Sequence, residues 1–192
     1  MEESLKAFVL MPFDSEFKGI YADLIKPALE EAGYEVRRAD SFLDQRNILR
    51  DIVRGIWEAK LVIADLTTAN PNVFYELGLC HGLRIPTVLI AQSMEQVPFD
   101  LRSYRVLIYS TRFDEVHLLK TSLRELGQKA RRAEISFESP LTDFTPTQLD
   151  DRLEPAIRSV VQNPSIAEAP EEEGFLDWVV GLEEAGAEVE VK

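Results

Sequence analysis

A chain of 192 residues with 45% hydrophobic content can bury one substantial core and little more, so one domain with an appendage is expected. No apolar run approaches the roughly 18 residues of a membrane span, "MEESLKAF" lacks the basic start and long apolar core of a signal peptide, and a single cysteine, Cys80, provides neither a disulfide nor a cysteine-based metal framework. With 34 acidic against 21 basic residues the net charge is −13, which disfavours non-specific binding to nucleic acid or an anionic membrane, and a cytoplasmic setting is expected.

In chain order, apolar strand-like runs alternate with helical patterns. "LKAFVLMPF" predicts a first strand, and "FKGIYADLIKPALEEAG" a helix whose Ile20, Leu24, Ile25 and Leu29 recur at helical spacing before Gly33 stops it. "YEVRRAD" is a short second strand, and "NILRDIVRGIWEA" places Ile48, Ile52, Ile56 and Trp57 on one stripe. "KLVIADL", "IPTVLIAQ" and "YRVLIYS" read as strands three to five. The helix "NPNVFYELGLCHGLR" lies between strands three and four, and "FDEVHLLKTSLRELGQKARR" closes the series. Continuous Val/Ile/Leu strands separated by helices predict a five-stranded, doubly wound parallel sheet of flavodoxin-like type, with helices on both faces. The α/β domain is expected over residues 1–165, "EISFESPLTDFTPTQLDDRLEPAIRSVVQ" adding a strand-like piece and a last helix.

In open α/β sheets ligands sit beyond the carboxyl ends of the strands where the chain changes direction, which for a 2-1-3-4-5 order lies between strands one and three. The segments there are "MPFD" (11–14) and "DLTTANPN" (65–72). In the helix after them, Asn70 or Asn72 serves as N-cap, with Pro71 suited to the first helical position. Glu76 then lies about one turn in, interrupting a stripe of Asn72, Val73, Leu79, Cys80 and Leu83. Asn70 to Leu83 contains one charge in fourteen residues, so the helix is expected to be buried on most sides.

Burial of a carboxylate is costly unless backbone amides or an arginine such as Arg102 compensate it. A partly desolvated carboxylate at a cleft suits attack on an electrophilic carbon or stabilisation of a developing cation. Cleavage at a sugar's anomeric carbon uses both. Arg37, Arg38, Arg102 and Arg105 are weighed as phosphate-holding groups or as ordinary surface cations. The chain contains neither GxGxxG nor GxxxxGK[ST], so dinucleotide dehydrogenase and P-loop readings lose support.

"MPFD", "VIADLTTANPNVFYELGLCHGL" and "VPFDLRSYRVLIY" together resemble the TIR-like members of the nucleoside 2-deoxyribosyltransferase superfamily, over roughly residues 6–110, most specifically in "NPNVFYELG". The resemblance implies a flavodoxin-like fold and cleavage of an N-glycosidic bond in a nucleoside, a nucleotide or NAD as substrate, with no metal or separate cofactor. It gives Glu76 the role of nucleophile or oxocarbenium stabiliser. It gives Met11, Phe13 and Asp14 the cradle for sugar or base, and Asp65, Asn70 and Asn72 the ribose hydroxyls; Tyr75 and Arg102 complete the expected binding set. Asn70 stands where well-studied deoxyribosyltransferases commonly have an acidic residue, so hydrolysis is expected ahead of transfer. Many TIR-like relatives accompany bacterial defence systems, and homo-oligomerisation is expected. The competing expectation is a non-catalytic module that senses a nucleotide or assembles through a TIR-like surface.

Residues 166–192 hold nine acidic residues and one lysine. Within that frame Phe175, Leu176, Trp178, Val179, Val180 and Leu182 form an apolar pattern suited to docking on a protein partner, or to the start of a further domain.

Overall fold

The computed structural model describes residues 5–38, 48–112 and 114–144. Five strands, β1 (Leu5–Leu10), β2 (Tyr34–Arg38), β3 (Leu61–Asp65), β4 (Thr87–Ala91) and β5 (Val106–Ile108), form one sheet in the order β2-β1-β3-β4-β5. Every pairing is parallel. This is the predicted flavodoxin-like α/β arrangement. The chain leaves β1 to one side for β2 and returns on the other for β3, so the switch point lies between β1 and β3.

The two faces of the sheet fill separate cores, because alternate residues of a strand point to opposite sides. Ala7, Val9, Leu61, Ile63, Val88 and Ile90 pack with Phe17, Ile25, Leu29, Leu119 and Leu123. Phe8, Leu10, Val62, Ala64 and Leu89 pack with Ile52, Ile56, Val73, Leu77 and Cys80. The first face is covered by α1 (Ser15–Gly19), a π-helical segment (Ile20–Ile25), α2 (Lys26–Glu31) and α5 (Val116–Arg131). The second is covered by α3 (Ile48–Glu58) and α4 (Pro71–Gly82).

Local chemistry explains several boundaries. The stretch from Ser15 to Glu31 is helical throughout, as predicted, but it widens in the middle. Pro27 has no N–H to donate one turn back, and the Lys26 N–H reaches five residues back to the Tyr21 carbonyl instead. Gly33 ends the helix at φ +93°, a conformation that a residue with a Cβ rarely adopts. Gly55 lets α3 settle on β1, since a Cβ there would overlap the Phe8 ring. The end of α3 is also tied to the start of β1, where Glu58 accepts from Lys6 at 2.7 Å and from Arg54 at 2.8 Å.

One expectation requires correction here. The strand-like piece expected near 134–139 is irregular chain leading into a short helix, α6 (Pro140–Phe144). Between β4 and β5 the chain makes two single helical turns, at Met94–Gln96 and Phe99–Leu101. The expected domain boundary at 165, the last helix before it and the acidic tail 166–192 lie outside the described residues.

Candidate active site

The loop from β3 into α4 is built by three local devices. Asp65 ends β3 with no solvent exposure, and its Oδ1 accepts from the Thr67 N–H at 3.0 Å. Thr68 and Ala69 then take left-handed backbone conformations, with φ of 68° and 50°. Such conformations are uncommon without glycine and strained for a β-branched residue. Asn70 turns the chain into the helix: its Oδ1 accepts from the Asn72 N–H at 2.9 Å, and Pro71 takes the first helical position.

Glu76 lies in the second turn of α4, on the face that also buries Val73, Leu77 and Cys80. It is 8% exposed. Its carboxylate makes no hydrogen bond or ion pair with any described residue. Desolvation therefore acts without an opposing interaction and raises its pKa from 4.5 to about 7. Arg102, expected as a substrate-binding residue and weighed as a structural partner for this carboxylate, lies on the crossover from β4 to β5. Its Nε donates to the Val97 carbonyl at 2.9 Å, and its Nη2 approaches the Glu95 carbonyl at 3.5 Å.

The expected surroundings divide by exposure. Met11 is buried at the carboxyl end of β1, whereas Phe13 is 49% exposed and Asp14 is exposed at the start of α1. Asn70 is half-buried and Asn72 exposed. These groups and Glu76 all belong to the segments following β1 and β3, the two strands that flank the switch point. Tyr75 is 59% exposed, on the outer side of α4 with Asn72 and Gly78. The expectation of a helix buried on most sides is thus corrected. α4 is the outer layer on its face of the sheet, and its uncharged composition does not enclose it.

Asp65 is engaged internally. Tyr109, just beyond β5, donates its hydroxyl to Asp65 Oδ2 at 2.7 Å, and Gln92, just beyond β4, donates Nε2 to the Tyr109 oxygen at 3.3 Å and its backbone N–H to Thr67 Oγ1 at 3.1 Å. The network joins the carboxyl ends of β3, β4 and β5 and holds the first residues of the strained loop. Burial raises the Asp65 pKa, while hydrogen bonds from Thr67 and Tyr109 favour its ionised form. Sequence reasoning missed Tyr109, Thr67 and Gln92; their signal is a polar residue just past the end of each apolar strand.

The arginines separate in the same way. Arg37 pairs with Glu35 on the surface. Arg38 is 3% exposed at the end of β2, with its guanidinium stacked on the rings of Tyr21 and Phe13. Arg105, with His81, Thr87 and Phe137, lines a cleft of about 370 Å³ at the amino ends of β4 and β5. That end of a parallel sheet is remote from the switch point, so this cleft does not belong to the Glu76 site. Burial lowers the His81 pKa and pushes the Cys80 thiol up to about 12, leaving Cys80 a core residue. Among the described residues no three His, Cys, Asp or Glu side chains form a metal-holding group, and no helix is long and apolar enough to cross a membrane.

Fold and site together define a flavodoxin-like α/β domain with a buried carboxylate and no described counter-charge at its switch point. No protein-family model and no curated protein sequence matches the chain. Among solved structures it is similar to the Clostridium botulinum CMP N-glycosidase BcmB; the match covers 63% of this chain and 97% of that one, at 21% identity and a TM-score of 0.48. At that level of similarity no residue role carries over.

Proposed function

We propose that this protein cleaves the N-glycosidic bond of a nucleotide, a nucleoside or NAD, with Glu76 as the group that meets the anomeric carbon. The observation that carries the reading is the Glu76 carboxylate itself, buried one turn inside α4 and without a described partner. A structural carboxylate at such a position is ordinarily matched by an arginine or by backbone amides. The resemblance around "NPNVFYELG" narrows the chemistry to a sugar.

In its ionised form, a Glu76 oxygen bonds to the anomeric carbon as the carbon–nitrogen bond breaks. The electron pair leaves on the base nitrogen; a nucleobase anion then takes a proton from solvent, whereas the pyridinium of NAD leaves directly as neutral nicotinamide. Water then hydrolyses the glycosyl ester, releasing the sugar and a proton and restoring the carboxylate; a second base in place of water gives transfer. In this reading Asn70 and Asn72 would meet the ribose hydroxyls, and Phe13, Asp14 and the buried Met11 of the segment after β1 would cradle the sugar or base, while Asp65 holds the loop through Thr67. Tyr75 and Arg102 are at most peripheral contacts.

Wild type and Glu76→Gln are to be incubated with NAD, nucleoside monophosphates and deoxynucleosides, and released base measured by chromatography. Wild type is expected to release base from at least one class, with kcat/KM rising with pH and levelling above about pH 7, where Glu76 is ionised. Glu76→Gln is expected to lose at least a thousandfold, on the order of the loss when a catalytic nucleophile is removed. Equal background rates for the two proteins on every substrate would sink the catalytic reading. Nucleotide binding without product would leave the sensing module in its place.

A further inference from the structure

We infer that Arg38 is a positioning residue, holding the Phe13 ring as a platform on which the substrate's base stacks. This rests on the proposed glycosidic cleavage, since it takes the substrate to carry a nucleobase and the β1 loop to border it.

Three side chains from three segments form one pile. Tyr21, from the π-helical segment, packs against the core on its face of the sheet. The Cζ of Arg38, at the end of β2, lies 4.6 Å from the centroid of the Tyr21 ring and 5.6 Å from that of Phe13. Arg38, between the two rings, is 3% exposed, whereas Tyr21 is half-buried and Phe13 is 49% exposed. The guanidinium is thus covered, and the phenyl ring is the more open of its two aromatic neighbours.

Arginine suits the inner position. Its planar, delocalised cation is weakly hydrated and stacks on aromatic faces, whereas a lysine ammonium is a compact, strongly hydrated point charge. Phe13 needs such support because it comes after β1 in a loop, outside any helix or strand. A half-exposed phenyl on a loop samples several rotamers unless something fixes it, and each lost rotamer lowers the fraction of protein ready to bind. With Arg38 beneath it, the ring is held at the loop after β1, one of the two strands that flank the switch point. A purine or pyrimidine on that ring would be the fourth layer, held by sequence-tolerant stacking. Arg38 does not touch the base in this arrangement; its effect passes through Phe13.

The test uses the full chain and four variants: Phe13→Leu, Arg38→Met, Arg38→Lys and the double Phe13→Leu/Arg38→Met, each checked by thermal unfolding. Affinity for the nucleotide that wild type binds most tightly is measured by calorimetry, with ribose 5-phosphate as a base-free probe and steady-state base release alongside. Phe13→Leu and Arg38→Met are each expected to weaken nucleotide affinity and raise KM by about tenfold, the size of a stacking or cation–π contribution, with kcat changed less than about twofold. The double variant is expected to be no worse than Phe13→Leu alone, because the two residues act as one unit. Arg38→Lys should recover part of the loss, and ribose 5-phosphate should bind all five proteins equally.

The inference is overturned if Arg38→Met binds nucleotide like wild type, if nucleotide and ribose 5-phosphate weaken together, or if the two single losses add. Should Arg38→Met fail to fold, Arg38→Lys and its double with Phe13→Leu decide by the same criteria. Wild type that binds nucleotide but releases no base would remove the catalytic reading alone, with calorimetry still deciding on Arg38. Wild type that binds no nucleotide would overturn both.

Discussion

At the residue scale, Glu76 makes site and fold compete. A carboxylate whose pKa stands at about 7 in the folded chain and near 4.5 when unfolded holds its proton more tightly when folded. The stability it contributes is therefore complete below about pH 4.5 and is lost as pH rises through 7. Replacing it with the neutral Glu76→Gln should stabilise the protein by about 2–3 kcal/mol at pH 8 and by little at pH 4.5, as read from urea unfolding at the two pH values. A constant difference between those pH values would mean that Glu76 is paired in solution. Burial raises the Asp65 pKa as well, but there Tyr109 and Thr67 supply the opposing hydrogen bonds that Glu76 lacks. Two acidic residues eleven positions apart thus do different work, one committed to structure and the other left open.

At the scale of the element, the connection from β3 to α4 carries strain at a place where the sheet type binds ligands. Thr68 and Ala69 both hold positive φ, and both are exposed, so no packing of their own side chains accounts for the conformation. Asp65 on one side and the Asn70 cap on the other enforce it. Thr68→Gly should relax the backbone and stabilise the protein by about 1 kcal/mol, a rise in Tm of about 3 °C in a calorimetric scan. A fall in Tm would show that the threonine side chain contributes something that the backbone argument omits. The same segment marks the limit of sequence reading. The Asn-Pro cap and the isolated carboxylate are local patterns and were legible. The left-handed pair was not, because neither residue belongs to the types that usually signal it. The neutral face of α4 misled for a related reason: lack of charge is compatible with burial but does not require it, and Tyr75 lies outside.

At the scale of the whole molecule, strand order and helix placement were legible because two periods, 2 and 3.6, are written directly into the chain. The Tyr109–Asp65 pair, 44 residues apart, and the Tyr21–Arg38–Phe13 pile were not, because they depend on which strand ends become neighbours. The irregular 134–139 segment escaped as well, since "EISF" has strand-like composition but no place in a sheet whose order ends at β5. Charge acts on the molecule in aggregate. Glu31, beside Lys120 and Arg124, and Glu58, beside Lys6 and Arg54, have carboxyl pKa values held below the ordinary range, so their contribution is present above about pH 4.5 and fades as pH falls further. Glu76 weakens the fold in the other direction, and acidification also relieves part of the repulsion within a net charge of −13. Thermal stability should therefore peak at about pH 5, well below neutrality. A Tm profile still climbing between pH 6 and 8 would contradict this balance.

The widened turn at Ile20–Ile25 bears on the site from a distance. An α-helix advances about 100° per residue, so the residue accommodated by that turn changes the angle between the helix on its amino side and the helix on its carboxyl side. With one residue fewer, Ile25 and Leu29 could keep their seats against the sheet only if Tyr21 swung about a quarter of a revolution away from Arg38. The helix is in effect phased twice, its later half by the core and its earlier half by the pile beneath Phe13. A proline that looks like a flaw in the helix thereby keeps both alignments compatible.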